Sequence, residues 1–121
     1  MSSVYTQLND ELHEVGFDGT VDNSQKTRTQ YATDESIFYL EPELVVAPKH
    51  TQDLSILVGS VSRLTTTSTP LHITARAAGT GLSGGSLNDS IICDVNKHLA
   101  TIHSQTPNEE GFFGDFGGRF V

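Results

Sequence analysis

The stretch that most constrains this chain runs from Leu71 to Val95, LHITARAAGTGLSGGSLNDSIICDV. Two apolar segments, which read as strands, flank the loop Arg76-Ala77-Ala78-Gly79-Thr80-Gly81-Leu82-Ser83-Gly84-Gly85. Four of the ten loop residues are glycine. Glycine tolerates positive φ and lets the main chain approach a ligand closely. Successive N–H groups in such a loop form a concavity for anions such as phosphate. The plainer alternative is a simple connection between strands, a common use of glycine-rich loops. Gly79-x-Gly81-x-x-Gly84 matches the dinucleotide-binding string. That motif, however, must open a helix and be followed by an acidic residue about 20 positions on. Only Gly85 to Ser90 separate it from Ile91-Ile92-Cys93, and no acidic residue lies between Lys97 and Asn108. The sequence has no Gly-Lys-Ser/Thr, which excludes a triphosphate P-loop. What remains is a loop between strands that can hold a phosphate by its backbone alone.

The segments before it alternate in period. Val4, Leu8, Leu12 and Val15 recur at helical spacing and Gly16 suits a helix end, which predicts a helix over 4–15. Phe17 to Thr29 is polar and reads as a loop. Arg28 to Tyr39 reads as a connector anchored by Tyr31, Phe38 and Tyr39, either as an apolar lid on the core or in contact with a ligand. Leu44-Val45-Val46-Ala47 is a short buried strand ended by Pro48. Thr51 reads as an N-cap, with Asp53 in the first turn favouring the positive helix end. Leu54, Leu57, Val58, Val61 and Leu64 form one stripe, which predicts a helix over 52–64 packed on a sheet. Thr65 to Pro70 is a turn-rich link, and Leu71 to Ala75 is the next strand. This strand–helix–strand unit predicts a right-handed parallel crossover. Ile91 to Val95 forms another strand, and Leu99 to Ile102 starts one more. The expected fold class is α+β: an N-terminal helix, then a small parallel β-α-β sheet.

Few side chains outside the loop point to chemistry. His13 and the carboxylates Asp10, Glu11 and Glu14 read as a solvated helix face. No second cluster complements them, so no metal ligand is assigned. His50 and His72 read as structural. Asp94 reads as a turn-facing carboxylate at a strand end. Cys93, inside an isoleucine-rich strand, fits a small buried hydrophobe better than a nucleophile. Arg76 either adds a charge to a bound anion or is solvated or paired at a strand end.

Charge and length bound the partners. The formal net charge is −8 over 121 residues, which argues against nucleic acid and anionic membranes. It also requires local N–H groups to hold any anion against the overall field. With 36% apolar and 18% charged residues the chain reads as one small globular domain. A single cysteine forbids an internal disulfide and points to a reducing compartment. Met1 to Asp10 has no apolar core for a signal peptide, and no run approaches transmembrane length.

The run from Pro42, PELVVAPKHTQDLSILVGSVSRL, through PLHITARAAGTGLSGG to IICDVNKHLATI resembles the FAD-linked oxidases. These carry a p-cresol methylhydroxylase (PCMH) or vanillyl-alcohol-oxidase type of FAD domain. Arg28, Tyr31, Thr33-Asp34-Glu35-Ser36 and Pro42 resemble the lead-in of the glycolate and D-lactate dehydrogenase branch. The likeness covers about residues 28–103 and departs at Ala77, where many members carry glycine. It implies FAD bound through Arg76, Ala77, Ala78, Gly79, Thr80, Gly81, Leu82, Ser83, Gly84 and Gly85. It also implies oxidation of a small 2-hydroxy acid such as glycolate or D-lactate, with an unidentified electron acceptor. The loop holds neither His nor Cys, so any flavin is expected to be non-covalent. No catalytic residue is assigned, because the substrate pocket of such enzymes lies largely in later sequence. The expected location is cytoplasmic, with peripheral membrane attachment through an electron-acceptor partner as the alternative. Residues 107–121, ending GDFGGRFV, instead resemble the N-terminal segment of the tryptophan synthase β chain. The expected division is thus 1–39 helix and connector, 40–106 the N-terminal part of the FAD-binding domain, and 107–121 an unrelated, poorly anchored tail. Two alternatives stay open: a non-catalytic α+β binding module, and a fusion with a tryptophan synthase β-chain start.

Overall fold

The computed structural model describes residues 3–99 and the backbone of 102–108 and 111–116. Helix α1, Val4–Val15, begins where the Ser3 hydroxyl accepts the Thr6 N–H at 3.3 Å. It ends at Gly16, whose φ of +99° is the left-handed conformation that only glycine adopts cheaply. Leu8 and Leu12, one turn apart, are fully buried.

The polar stretch after α1 is not a loop throughout. It contains strand β1, Thr20–Asp22, and helix α2, Gln25–Gln30. Neither has an apolar period to betray it. All three β1 residues are exposed or half-buried, and α2 buries no residue. Local polar bonds form α2 instead: the Ser24 hydroxyl accepts the Thr27 N–H, and Asp22 accepts from the Ser24 N–H and the Thr27 hydroxyl. These bonds, led by the Ser24 N–H, hold the Asp22 carboxyl below its ordinary range.

Strand β2, Leu44–Ala47, helix α3, Thr51–Leu64, strand β3, Ile73–Arg76, and strand β4, Ile91–Asp94, complete the sheet. The order is β1-β2-β4-β3, with β1 antiparallel to β2 and the other pairs parallel. The parallel crossover from β2 to β3 therefore skips one position, and β4 enters between them. The sheet is mixed rather than wholly parallel, because the unrecognised β1 adds an antiparallel edge. Arg76 is the last residue of β3 rather than the first of the loop. Leu44, Val46, Ile91 and Cys93 face Leu8, Leu12, Leu57 and Val61 of the two long helices. By the two-residue period of strands, Val45, Ala47, Ile92 and Asp94 face the opposite side. They are buried too, so that side of the sheet is covered as well.

The start of α3 differs in detail from expectation. His50, not Thr51, is the N-cap, and it makes no side-chain capping bond. Asp53 is 1% exposed, and its two oxygens accept the N–H groups of Asp18 at 3.1 Å and Lys49 at 2.9 Å. It thus ties the helix start to the segment leading into β1. Outside, Arg63 bridges α3 to Glu11 of α1 at 2.6 Å, so Glu11 is a partnered residue rather than free surface charge.

Cys93 is buried, and burial pushes its thiol up to about 11, with Asp94 beside it adding to the shift. At pH 8 only about one thiol in a thousand is then the reactive thiolate. Native protein is expected to resist a thiol-specific dye and to label at once in denaturant. Rapid labelling of the folded chain would contradict this placement.

Beyond Leu99, strands β5, Ile102–Asn108, and β6, Gly111–Phe116, pair antiparallel with a register shift between Ile102 and Ser104. The strand expected from Leu99 thus begins at Ile102, and the tail's terminal residues 117–121 lie outside the described ones.

Candidate functional site

The glycine-rich segment is itself the crossover between β3 and β4. Parallel neighbours need a connection of about a dozen residues or more, usually a helix. Here residues 77–90 make it with no helix at all. Asn88 donates from its amide to the Thr74 hydroxyl at 2.8 Å, which fixes the loop's return over the sheet side opposite α3. Ser90 then accepts the His72 N–H on its hydroxyl and meets the Tyr5 hydroxyl, sealing the start of β4.

Gly79 and Gly84 have φ of +73° and +79°, so glycine is a conformational requirement at both. Gly81 and Gly85 do not have positive φ. A Cβ on Gly85 would meet nothing within 4 Å and one on Gly81 only the Asp34 carboxylate at 3.8 Å, so both positions border open space and no contact there demands glycine. From Ala77 to Ser86 no backbone N–H donates a hydrogen bond to the described residues; the first that does is Leu87, to Gly84. Among the described residues, the loop therefore carries a run of unpaired donors beside open space. An exposed connection can leave such donors to water, and a loop that cradles an anion would aim them at it.

Arg76 is already committed. Its guanidinium lies over the Tyr31 ring, 5.1 Å from the centroid, and donates to the Tyr31 carbonyl at 3.2 Å. A Cβ on Gly79 would come within 2.5 Å of it, so it also fills the space beside that glycine. The Tyr31 hydroxyl donates to Asp94 at 2.5 Å. Burial, then this bond and the carboxylate's charge, push the phenol up to about 12. The other Asp94 oxygen accepts the N–H groups of Asn96 and Lys97, which makes Asp94 turn-facing as expected.

The connector does not lid the core. Of its three expected anchors only Tyr31 is pinned into the structure; Phe38 and Tyr39 are 54% and 61% exposed. Thr33 and Tyr39 form an antiparallel bridge, closing residues 33–39 into a small hairpin whose Ile37 is 95% exposed. This hairpin stands against the glycine loop. Phe38, Tyr39, Leu40, Ser83, Gly84 and Leu87 line a shallow apolar recess of about 390 Å³ between them. Asp34 accepts the Ser36 N–H on one oxygen and the Ser86 hydroxyl on the other. Sequence reasoning gave Asp34 no role, because only the fold brings it beside residues some fifty positions away.

A second recess of about 320 Å³ opens between Thr27, Tyr31, Asp94 and Lys97. Elsewhere Asp18, His50 and Asp53 bring their ligand atoms within 4.8 Å of one another, with His50 Nε2 and Asp18 at 2.8 Å. Asp53 spends both oxygens on backbone N–H groups there, so the cluster reads as a helix-start tie. His50 is structural in that sense.

No family model matches the chain. Over 99 residues, 82% of its length, it is 35% identical to D-2-hydroxyglutarate dehydrogenase of Escherichia coli (strain K12). It is 36% identical over 87 residues to the Pantoea ananatis (strain AJ13355) protein of the same name, and 32% over 101 residues to that of Pseudomonas putida. The chain spans about a tenth of the length of these curated relatives, 10%, 8% and 10% respectively. No helix among the described residues is long and apolar enough to cross a membrane.

Proposed function

We propose that this chain is the FAD-binding portion of a flavin-dependent oxidoreductase acting on a 2-hydroxy acid, with the glycine loop holding the cofactor's pyrophosphate. The observation that carries the reading is the run of free N–H groups from Ala77 to Ser86, set beside two positive-φ glycines and open space. The similarity to D-2-hydroxyglutarate dehydrogenases supports the substrate class and puts D-2-hydroxyglutarate first; glycolate and D-lactate are the other candidates. The domain type belongs to the same proposal: a PCMH-like FAD domain over 40–106, the helix and connector 1–39 before it, and a tail of unrelated origin from 107 to 121, although β5 crosses that boundary to pair with β6.

Bound flavin would supply the redox chemistry, accepting a hydride from the substrate's α-carbon. The chain's own residues bind and orient. Backbone N–H groups of the loop hold the diphosphate, and the Thr80 and Ser83 hydroxyls each add a donor. Positive φ at Gly79 and Gly84 lets the chain curve around the anion. With a net charge of −8, these oriented dipoles rather than the overall field provide the attraction.

The test is a titration of the 121-residue chain with FAD, followed by flavin fluorescence. Saturable binding that inorganic pyrophosphate competes away is expected; no binding at any accessible concentration removes the reading. Attachment is checked on the same sample. Residues 76–85 contain neither His nor Cys. Acid precipitation is therefore expected to leave the yellow colour in the supernatant, and colour held in the pellet would contradict a non-covalent site.

A further inference from the structure

Three contacts join the connector hairpin to the glycine loop, one at each of its turns. Arg76, stacked on Tyr31, fills the space beside Gly79. The Asp34 carboxylate lies beside Gly81 and accepts the Ser86 hydroxyl at 3.0 Å. The Phe38 ring lies where a Cβ of Gly84 would be, 2.9 Å from that point. The loop has little internal support, since its N–H groups make no bonds among the described residues before Leu87. Its shape must therefore come from outside. The hairpin can supply it because it is itself pinned: Leu40 N–H donates to the Ala32 carbonyl at 2.9 Å, and Ser36 N–H holds the first Asp34 oxygen.

We propose that residues 31–38 are a clasp that holds the anion loop open, with Asp34 as its positioning residue. This rests on the loop being the cofactor site. Asp34 has two opposed effects. Its oxygens tie Ser86 and Ser36, which orders the loop. Its negative charge lies beside Gly81 of the loop, where it would oppose a bound anion. Asparagine removes the charge but keeps both ties, its Oδ1 accepting the Ser36 N–H and its Nδ2 donating to the Ser86 hydroxyl oxygen; alanine removes the charge and the ties. The two substitutions therefore act in opposite directions, which a merely structural residue would not produce.

The experiment compares the parent chain with Asp34→Ala, Asp34→Asn and Ser86→Ala by hydrogen exchange and by FAD titration. In Asp34→Ala and Ser86→Ala, the Leu87 amide, the first of the loop that is hydrogen-bonded, is expected to exchange about tenfold faster, while those of β2 and β4 keep their protection. In Asp34→Asn the Leu87 amide stays near the parent rate. FAD affinity is expected to fall about tenfold in Asp34→Ala and to rise about three- to tenfold in Asp34→Asn at low salt. Unchanged Leu87 exchange in Asp34→Ala overturns the clasp whether or not FAD binds. Equal loss of affinity in Asp34→Asn and Asp34→Ala overturns the charge assignment. A parent that takes up no FAD overturns the cofactor reading and the positioning role with it, even where the exchange rates still report the contact.

Discussion

Gly84→Val is expected to lose FAD retention while leaving a folded chain. Gly84 has φ +79°, a conformation that costs an L-residue about 1–2 kcal/mol and a β-branched one more. Its new Cβ would lie 2.9 Å from the Phe38 ring. That ring is half-exposed and can swing away, and Gly84 lies outside the core, so the sheet and the two long helices keep their packing. The loop itself must move. A hydrogen bond to a charged acceptor contributes about 1.5–3 kcal/mol, so losing two costs roughly 3–6 kcal/mol, or about two to four decades in affinity. Arg76→Ala is expected to cost less, because Arg76 is held against the Tyr31 ring and carbonyl and the loop's backbone donors stay in place. Titration of both variants against the parent, with circular dichroism to confirm folding, decides the ranking. Parental affinity in a folded Gly84→Val chain would return the loop to a simple connection.

The largest effect on stability is expected at Asp53. Truncation to alanine leaves the N–H groups of Asp18 and Lys49 without their acceptor beside a buried helix start. At about 1–3 kcal/mol per unsatisfied buried donor, with water recovering part, the loss is about 2–4 kcal/mol. For a domain of this size that is roughly 8–16 °C in Tm. Asp53→Asn keeps one acceptor and should lose about half as much. Burial pushes the Asp53 carboxyl up, but the two N–H groups and nearby His50 outweigh it, so it lies below its ordinary 3.8. A depressed carboxyl stabilises the fold above its unfolded value, and that stabilisation is lost as pH falls through the folded one. The gap between parent and Asp53→Ala should therefore be full at pH 6–7 and shrink below about pH 4. Thermal melts across that range are the check, and a gap independent of pH would mean that the carboxylate's charge plays no part.

Residues that spoke for themselves in sequence did so through strong periods. The α1 and α3 stripes, the Leu44–Ala47 run and the Ile91–Asp94 run each bury a face, so hydrophobic spacing located them almost to the residue. Elements made by side-chain-to-backbone bonds were silent. α2 exists because Ser24 and Asp22 organise it, and β1 because it pairs with β2, and neither buries a stripe. The candidate site divides the same way. Glycine content marked the loop, and two of those glycines take positive φ. Its neighbours Asp34 and Phe38 were not legible as partners, because their contacts with Ser86 and Gly84 are set by the fold. The Arg76–Tyr31 stack was invisible for the same reason.

The position of β4 sets the order in which this sheet can assemble. β4 comes after β2 and β3 in the chain yet lies between them. Until Ile91–Asp94 is in place, β2 and β3 have no shared neighbour, and the first register contact, Leu44 with Ile91, closes a loop of 47 residues. The Tyr31–Asp94 and Tyr5–Ser90 bonds, spanning 63 and 85 positions, also wait for that strand. Such distant closures are slow to find, so folding should be governed by the arrival of β4, in milliseconds to seconds rather than microseconds. A nascent chain would hold two unpaired strand edges until that moment, the interval in which it is most exposed to mispairing with a neighbour.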